Sequence, residues 1–184
     1  MRLTEVSVTM GEGQKASSGT SGASKQSIAK RDNAPAELHW QDFRKVFRST
    51  PIARIDLIRN GVPAVDFKRF VTGLGVPQQQ VYRMLAIATA TVNRKASRNE
   101  TFTCGESAKV VGLAKLIGQI ETMLAESSTP SALAGFHAGK WLVGWMMLPI
   151  PALGGRLPAD YMDTIEGQEM IGRLLAKMQS GAYA

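Results

Sequence analysis

Apolar residues recur at spacings of three and four along most of the chain, the period of an amphipathic helix. Between residues 39 and 49 the stripe is Trp40, Phe43, Val46 and Phe47. Thr50-Pro51 then reads as an N-cap followed by proline at the first helical position, where its missing N–H costs nothing; Ile52, Ile55 and Ile58 continue to a stop at Gly61 and Pro63. Residues 64–74 predict a third helix closed by Gly75, Pro77 opens a fourth that ends near Leu85, and a fifth begins close to Thr89. Thr103 and Glu106 have the spacing of a capping box, ahead of a long helix faced by Val110, Leu113, Ile117, Ile120 and Leu124 and ending near Glu126. Ser127-Ser128-Thr129-Pro130 restarts the chain, and residues 132–147 are apolar enough for a buried helix, ended by Pro149 and Pro151. Thr164 caps a last helix that carries Ile165, Ile171, Leu174, Leu175 and Met178 and stops at Gly181. No run of comparable length alternates with the period of a strand, so the fold class is all-α.

Residues 1–34 stand apart as a flexible arm, because from Gly11 to Ser27 the chain is mostly Gly, Ser, Ala, Thr, Gln and Lys and buries too little to offset the entropy of ordering. Within the arm Gly11-Glu12-Gly13-Gln14-Lys15-Ala16 matches a dinucleotide fingerprint by pattern, with Asp32 downstream. The context refutes it: Ser17 to Gly22 cannot start the helix whose amides would face a pyrophosphate. The rest of a 184-residue chain with 44% apolar content divides into a helical part over 35–128 and a smaller one over 129–184. A lone cysteine, Cys104, excludes an intrachain disulfide, and with His39 and His137 as the two histidines there is no zinc cluster, which fits a reducing cytoplasm. Cys104 has no neighbour to activate it, so no catalytic residue, metal or cofactor is assigned. Residues 1–13 lack the apolar core of a secretory signal, and 141–151 are too few to span a bilayer, so no membrane partner is expected.

Charge changes this picture. Lys and Arg number 22 against 15 Asp and Glu, a formal net charge of +7. From Phe67 to Asn99 there are Lys68, Arg69, Arg83, Arg94, Lys95 and Arg98 and no acid. The same stretch holds the two short helices joined at Ala86-Ile87-Ala88, the spacing of a helix-turn-helix. Met84, Leu85, Ile87 and Val92 would hold the pair together, leaving Thr89, Thr91, Asn93, Arg94, Lys95 and Arg98 to meet phosphates and base edges in a major groove. The same pattern also suits a merely solvated basic face. Ala86 stands where glycine is more usual, so a positive φ there would carry a cost.

At Pro149-Ile150-Pro151-Ala152-Leu153-Gly154-Gly155-Arg156-Leu157-Pro158, and again at Asp163-Thr164-Ile165-Glu166-Gly167, the sequence resembles the C-terminal toxin-binding domain of the Xre/MbcA/ParS antitoxins. Trp145-Met146 and Leu174-Leu175 fit the pattern around it, and Ile150 stands where the family commonly has asparagine. The resemblance implies an all-helical fold with an Xre-like helix-turn-helix domain and a function as antitoxin of a type II pair. It further implies a RES-domain toxin as partner, which consumes NAD or transfers its ADP-ribose, and autoregulation of the operon through operator DNA. The antitoxin would be a homodimer or part of a larger hetero-oligomer with the toxin. The implied toxin-binding residues are Leu153, Gly154, Gly155 and Arg156 in the loop and Gly181, Ala182, Tyr183 and Ala184 at the end. The alternative is a stand-alone helix-turn-helix regulator whose C-terminal helices dimerise or bind a ligand.

The loop has a reading of its own. Gly154-Gly155 permits backbone angles and close approaches that a side chain would forbid. Arg156 is placed to pair with Asp160 or Asp163, or with a partner's carboxylate. Tyr183 is either an anchor for a partner's pocket or folded back on its own domain. Trp141, Trp145, Met146 and Met147 read as core or interface, and an exposed Trp145 would mark an interface.

Overall fold

The computed structural model describes residues 38–127 and 135–179. The 1–34 arm with its Gly11–Ala16 segment, the restart at Thr129-Pro130 and the terminal Gly181–Ala184 lie outside the described residues. Helices α1 (Phe43–Arg48), α2 (Pro51–Asn60), α3 (Ala64–Gly73), α4 (Gln78–Met84), α5 (Thr89–Ser97), α6 (Cys104–Ser127), α7 (Ala138–Met146) and α8 (Ile165–Gln179) follow in order, with short 3-10 turns at Pro151–Leu153 and Pro158–Tyr161. Among the described residues extended pairing is confined to two isolated bridges, Pro63 with Thr101 and Ile150 with Arg156. The fold is all-α.

Local chemistry sets the helix starts. Thr50 Oγ1 accepts from the Ala53 amide at 3.2 Å ahead of Pro51. At α6 the capping box closes: Thr103 N and Oγ1 donate to Glu106 Oε2 at 2.8 and 2.9 Å, and the Glu106 amide donates to Thr103 Oγ1 at 3.3 Å. Thr164 Oγ1 accepts from the Gly167 amide at 3.1 Å and starts α8. Each such cap is worth about 1 kcal/mol, because it satisfies an amide that has no partner inside the helix.

Helix α6 is the spine, with α1, α2, α7 and α8 packed on it. Helix α1 crosses where α6 presents Gly118: a Cβ there would fall on the Phe43 carbonyl oxygen, so the close approach requires glycine. The C-terminal carbonyls of α1 are held by Arg54 of α2, whose Nη1 reaches Val46 O at 3.2 Å and Ser49 O. Helices α3, α4 and α5 form a second group, tied to the start of α6 by Phe102 N to Val62 O at 2.8 Å and Ala64 N to Glu100 O at 3.1 Å. Beneath that tie the buried Ser107 hydroxyl accepts from Val62 N at 3.0 Å and donates to Phe102 O. Trp40, Phe43, Phe67, Phe70, Tyr82 and Phe102 interlock edge to face or tilted; Trp40 and Phe70, for example, are perpendicular with centroids 5.5 Å apart. One hydrophobic core runs from Trp40 to Leu175, so the described residues before and after 128 bury their apolar faces together.

Three elements differ from expectation. Helix α1 starts at Phe43 rather than near residue 39, and Trp40 enters the core from the turn ahead of it. Helix α2 buries no residue fully: it rests on the surface of α6, and Ile52 is 71% and Ile55 43% exposed. Helix α7 begins at Ala138, six residues later than the apolar run suggests, since Gly135 takes φ +83° and breaks the helical path.

Candidate functional site

The helix-turn-helix forms where the spacing places it. Ala86 adopts φ +47°, the left-handed value its side chain disfavours, and this closes a Schellman motif at the end of α4. The Ala86 amide donates to Arg83 O and the Ile87 amide to Tyr82 O, both at 2.9 Å. Leu85, Ile87, Met84 and Val92 are buried as expected, and α5 packs against α3. Burial also raises the Tyr82 phenol above its ordinary pKa, with its oxygen on Gln78 Oε1 at 3.3 Å. Helix α5 ends on a second Schellman motif: Asn99 takes φ +53°, its amide meets Ala96 O at 3.3 Å, and the Glu100 amide meets Lys95 O at 2.9 Å.

That turn decides the electrostatics of α5, because it swings Glu100 back over the helix. Glu100 lies 3.6 Å from Arg94 and 3.8 Å from Arg98, and all three side chains remain substantially exposed. At the other border of the acid-free stretch Asp66 pairs with Arg69 at 3.0 Å. Lys95 differs from the two arginines. Its side chain is 12% exposed, its Nζ donates to Thr101 O at 3.0 Å, and it lies 3.8 Å from Glu106, so its ammonium joins the end of α5 to the start of α6. Asn93, Arg94 and Arg98 are exposed, while Thr89 and Thr91 are half-buried. With Val92 inward, the exposed Ala90 and Ser97 share the outer face, and the helical period about Val92 would have found them.

After α7, Ile150 is buried and its amide donates to Arg156 O at 3.1 Å, while the Gly155 amide returns to Ile150 O at 3.0 Å. Gly154 and Gly155 take φ +64° and +80°, and no atom lies within 4 Å of where either Cβ would stand. Within this chain the glycines therefore answer to backbone angle and not to close approach. Leu153 is half-buried, and Gly154, Gly155 and Arg156 are exposed. Arg156 pairs with neither Asp160 nor Asp163: among the described residues its guanidinium has no ion pair. The two aspartates instead border a groove with Arg83 and Gln80 of α4. Trp145 is buried at 9% exposure, and it is Trp141, one turn earlier, that reaches solvent. The described residues hold no cluster of three metal-ligating side chains and no helix long and apolar enough to cross a membrane.

The fold is thus a helix-turn-helix body continued by further helices packed on the same spine. Residues 53–115 match the family described as the antitoxin Xre-like helix-turn-helix domain, and residues 132–181 match the antitoxin Xre/MbcA/ParS C-terminal toxin-binding domain. A curated relative, the "Prs ADP-ribosylating antitoxin" of Sphingobium sp. (strain YBL2), is 45% identical over 142 residues, covering 77% of this chain and 87% of the relative. The chain belongs to the Xre/MbcA/ParS family of antitoxins.

Proposed function

We propose that this antitoxin, acting in the cytoplasm and without enzymatic activity of its own, neutralises a RES-domain toxin that transfers ADP-ribose from NAD. Residues 129–184 engage the toxin through Leu153, Gly154, Gly155 and Arg156 and the terminal Gly181, Ala182, Tyr183 and Ala184. Residues 35–128 repress the operon by laying α5 in the major groove of operator DNA. The observation that carries this is the 45% identity to an antitoxin named for ADP-ribosylation, across a span that includes both matched domains. The loop supports it: open space above two glycines and an Arg156 that has no ion pair among the described residues form a surface that a partner's backbone and carboxylate can meet. On α5, Asn93, Arg94 and Arg98 are the exposed groups that would reach DNA, the two arginines in exchange for their shared Glu100, with Thr89 and Thr91 at the margin and Lys95 holding the helix in place. Self-association is supported by a groove of about 600 Å³ between α2, α6 and α8, bordered by the exposed Ile55 and Ile165.

The test is co-purification of tagged full-length chain with the product of the adjoining reading frame at high salt. A stoichiometric, salt-resistant complex with a RES-domain protein is the expected result. Absence of any partner would overturn the toxin assignment and favour the stand-alone regulator.

A further inference from the structure

We infer that the outer face of α7 is an aromatic ledge on which the toxin docks, distinct from the glycine loop that follows it. This rests on the antitoxin reading above. Helix α7 is two-sided: Ala138, Leu142, Val143 and Met146 are buried, and Gly139 brings the helix against Leu74 and Phe70. The other side carries Trp141, Gly144 and Leu148 at spacings of three and four, with Phe136 just ahead. Phe136 and Trp141 are each 40% exposed and Leu148 57%. These residues line a shallow groove of about 550 Å³.

The ledge is built rather than incidental. Trp141 lies flat on the buried Trp145, ring centroids 6.1 Å apart and planes 9° from parallel, and Phe136 leans on Trp141 at 6.4 Å. A large side chain already held in one orientation by a buried one loses little freedom on binding, which is what an interface anchor requires. The occupant follows from position and charge. Every residue of the ledge lies within the segment that matches the toxin-binding domain, and the proposed toxin-binding residues of the loop begin at Leu153, five residues beyond Leu148. The groove shares no residue with the α2–α6–α8 groove assigned to self-association. Its lining includes Lys140 and no carboxylate, so the matching toxin surface is an apolar ridge rimmed by an acidic side chain.

Two variants of the full chain test this, each titrated against the purified toxin of the adjoining reading frame by biolayer interferometry. Trp141→Ala removes the upper plate and is expected to weaken affinity about 30-fold. Gly144→Gln is the sharper variant: no atom lies within 4 Å of its Cβ site, so the new side chain projects into the groove. It is expected to raise the melting temperature, since glycine inside a helix is unfavourable, yet to lower toxin affinity about tenfold or more. A role in folding alone predicts no such opposite movement. Toxin affinity within threefold of wild type for both variants overturns the inference and leaves the antitoxin reading intact. Failure of wild type to bind the toxin overturns both. Lost self-association with unchanged toxin affinity assigns the ledge to a second copy and also overturns the inference.

Discussion

Ala86 holds the helix-turn-helix in shape at a cost, and replacing it with glycine should make the protein more stable. A residue with a Cβ in the left-handed region costs about 1–2 kcal/mol relative to its ordinary conformations. Glycine avoids that cost but gives the unfolded chain more freedom, worth about 0.4–1 kcal/mol in the opposite direction. The Ala86 methyl is exposed, so no packing is lost, and both backbone hydrogen bonds of the turn survive. The net gain is about 0.5–1 kcal/mol, which for a chain of this size corresponds to a rise of roughly 1–4 °C in melting temperature. The assay is a calorimetric melt of full-length Ala86→Gly beside wild type and Ala86→Val. Valine, β-branched and more crowded at positive φ, should move the melt downward. A glycine variant that melts at or below the wild-type temperature would refute the reasoning, because it would mean the turn residue carries no strain to release. Asn99→Gly provides a scale: asparagine already tolerates φ +53°, so its gain should be smaller than that at residue 86.

Glu100→Gln should release Arg94 and Arg98 and raise affinity for operator duplex about two- to tenfold at low salt, since each exposed pair is worth about 0.2–1 kcal/mol; unchanged anisotropy titrations would show that DNA does not compete with that carboxylate. Arg94→Ala should reduce the slope of log affinity against log salt by about 0.9, whereas Lys95→Met should leave the slope alone and lower the melting temperature; a reduced slope for the lysine variant would place its ammonium on a phosphate. Burial raises the Glu121 carboxyl above its ordinary 4.5, with Arg44 opposing the shift. The folded state therefore binds that proton more tightly, and stability falls as pH rises from 4.5 through the folded value. Glu121→Gln should then melt above wild type at pH 7, with the difference shrinking toward pH 4.

Helix starts were legible because their chemistry is local. Thr50-Pro51, Thr103 with Glu106, and Thr164 each carry the cap and the amide it satisfies within three residues. The turn between α4 and α5 was legible for the same reason, down to the position whose backbone would be strained. What escaped the sequence depends on where helices meet. The isoleucine stripe of α2 has the period of a buried face, yet only packing decides that Ile52 faces water. Lys95 and Arg94 are adjacent cations in the chain, and it is the fold-back at Asn99 that gives one the Thr101 carbonyl and the other a shared carboxylate. Trp141 and Trp145 are the same residue type one turn apart, and only the direction of α7 over α6 separates the exposed plate from the buried one.

Helix α6 is a continuous run of 24 residues, about 36 Å of rigid rod. Its first turn is fastened through Lys95 to α5, the helix proposed to face the operator, and along its length it carries α7 and α8, which belong to the segment matching the toxin-binding domain. No hinge interrupts that rod. In a repressor built this way, occupancy of the toxin surface has no joint through which to reorient the reading helix of its own chain. If the chain represses as proposed, tuning of transcription by toxin would then operate by arithmetic between molecules: how many antitoxins a toxin brings together, and whether the spacing of their rods matches the operator.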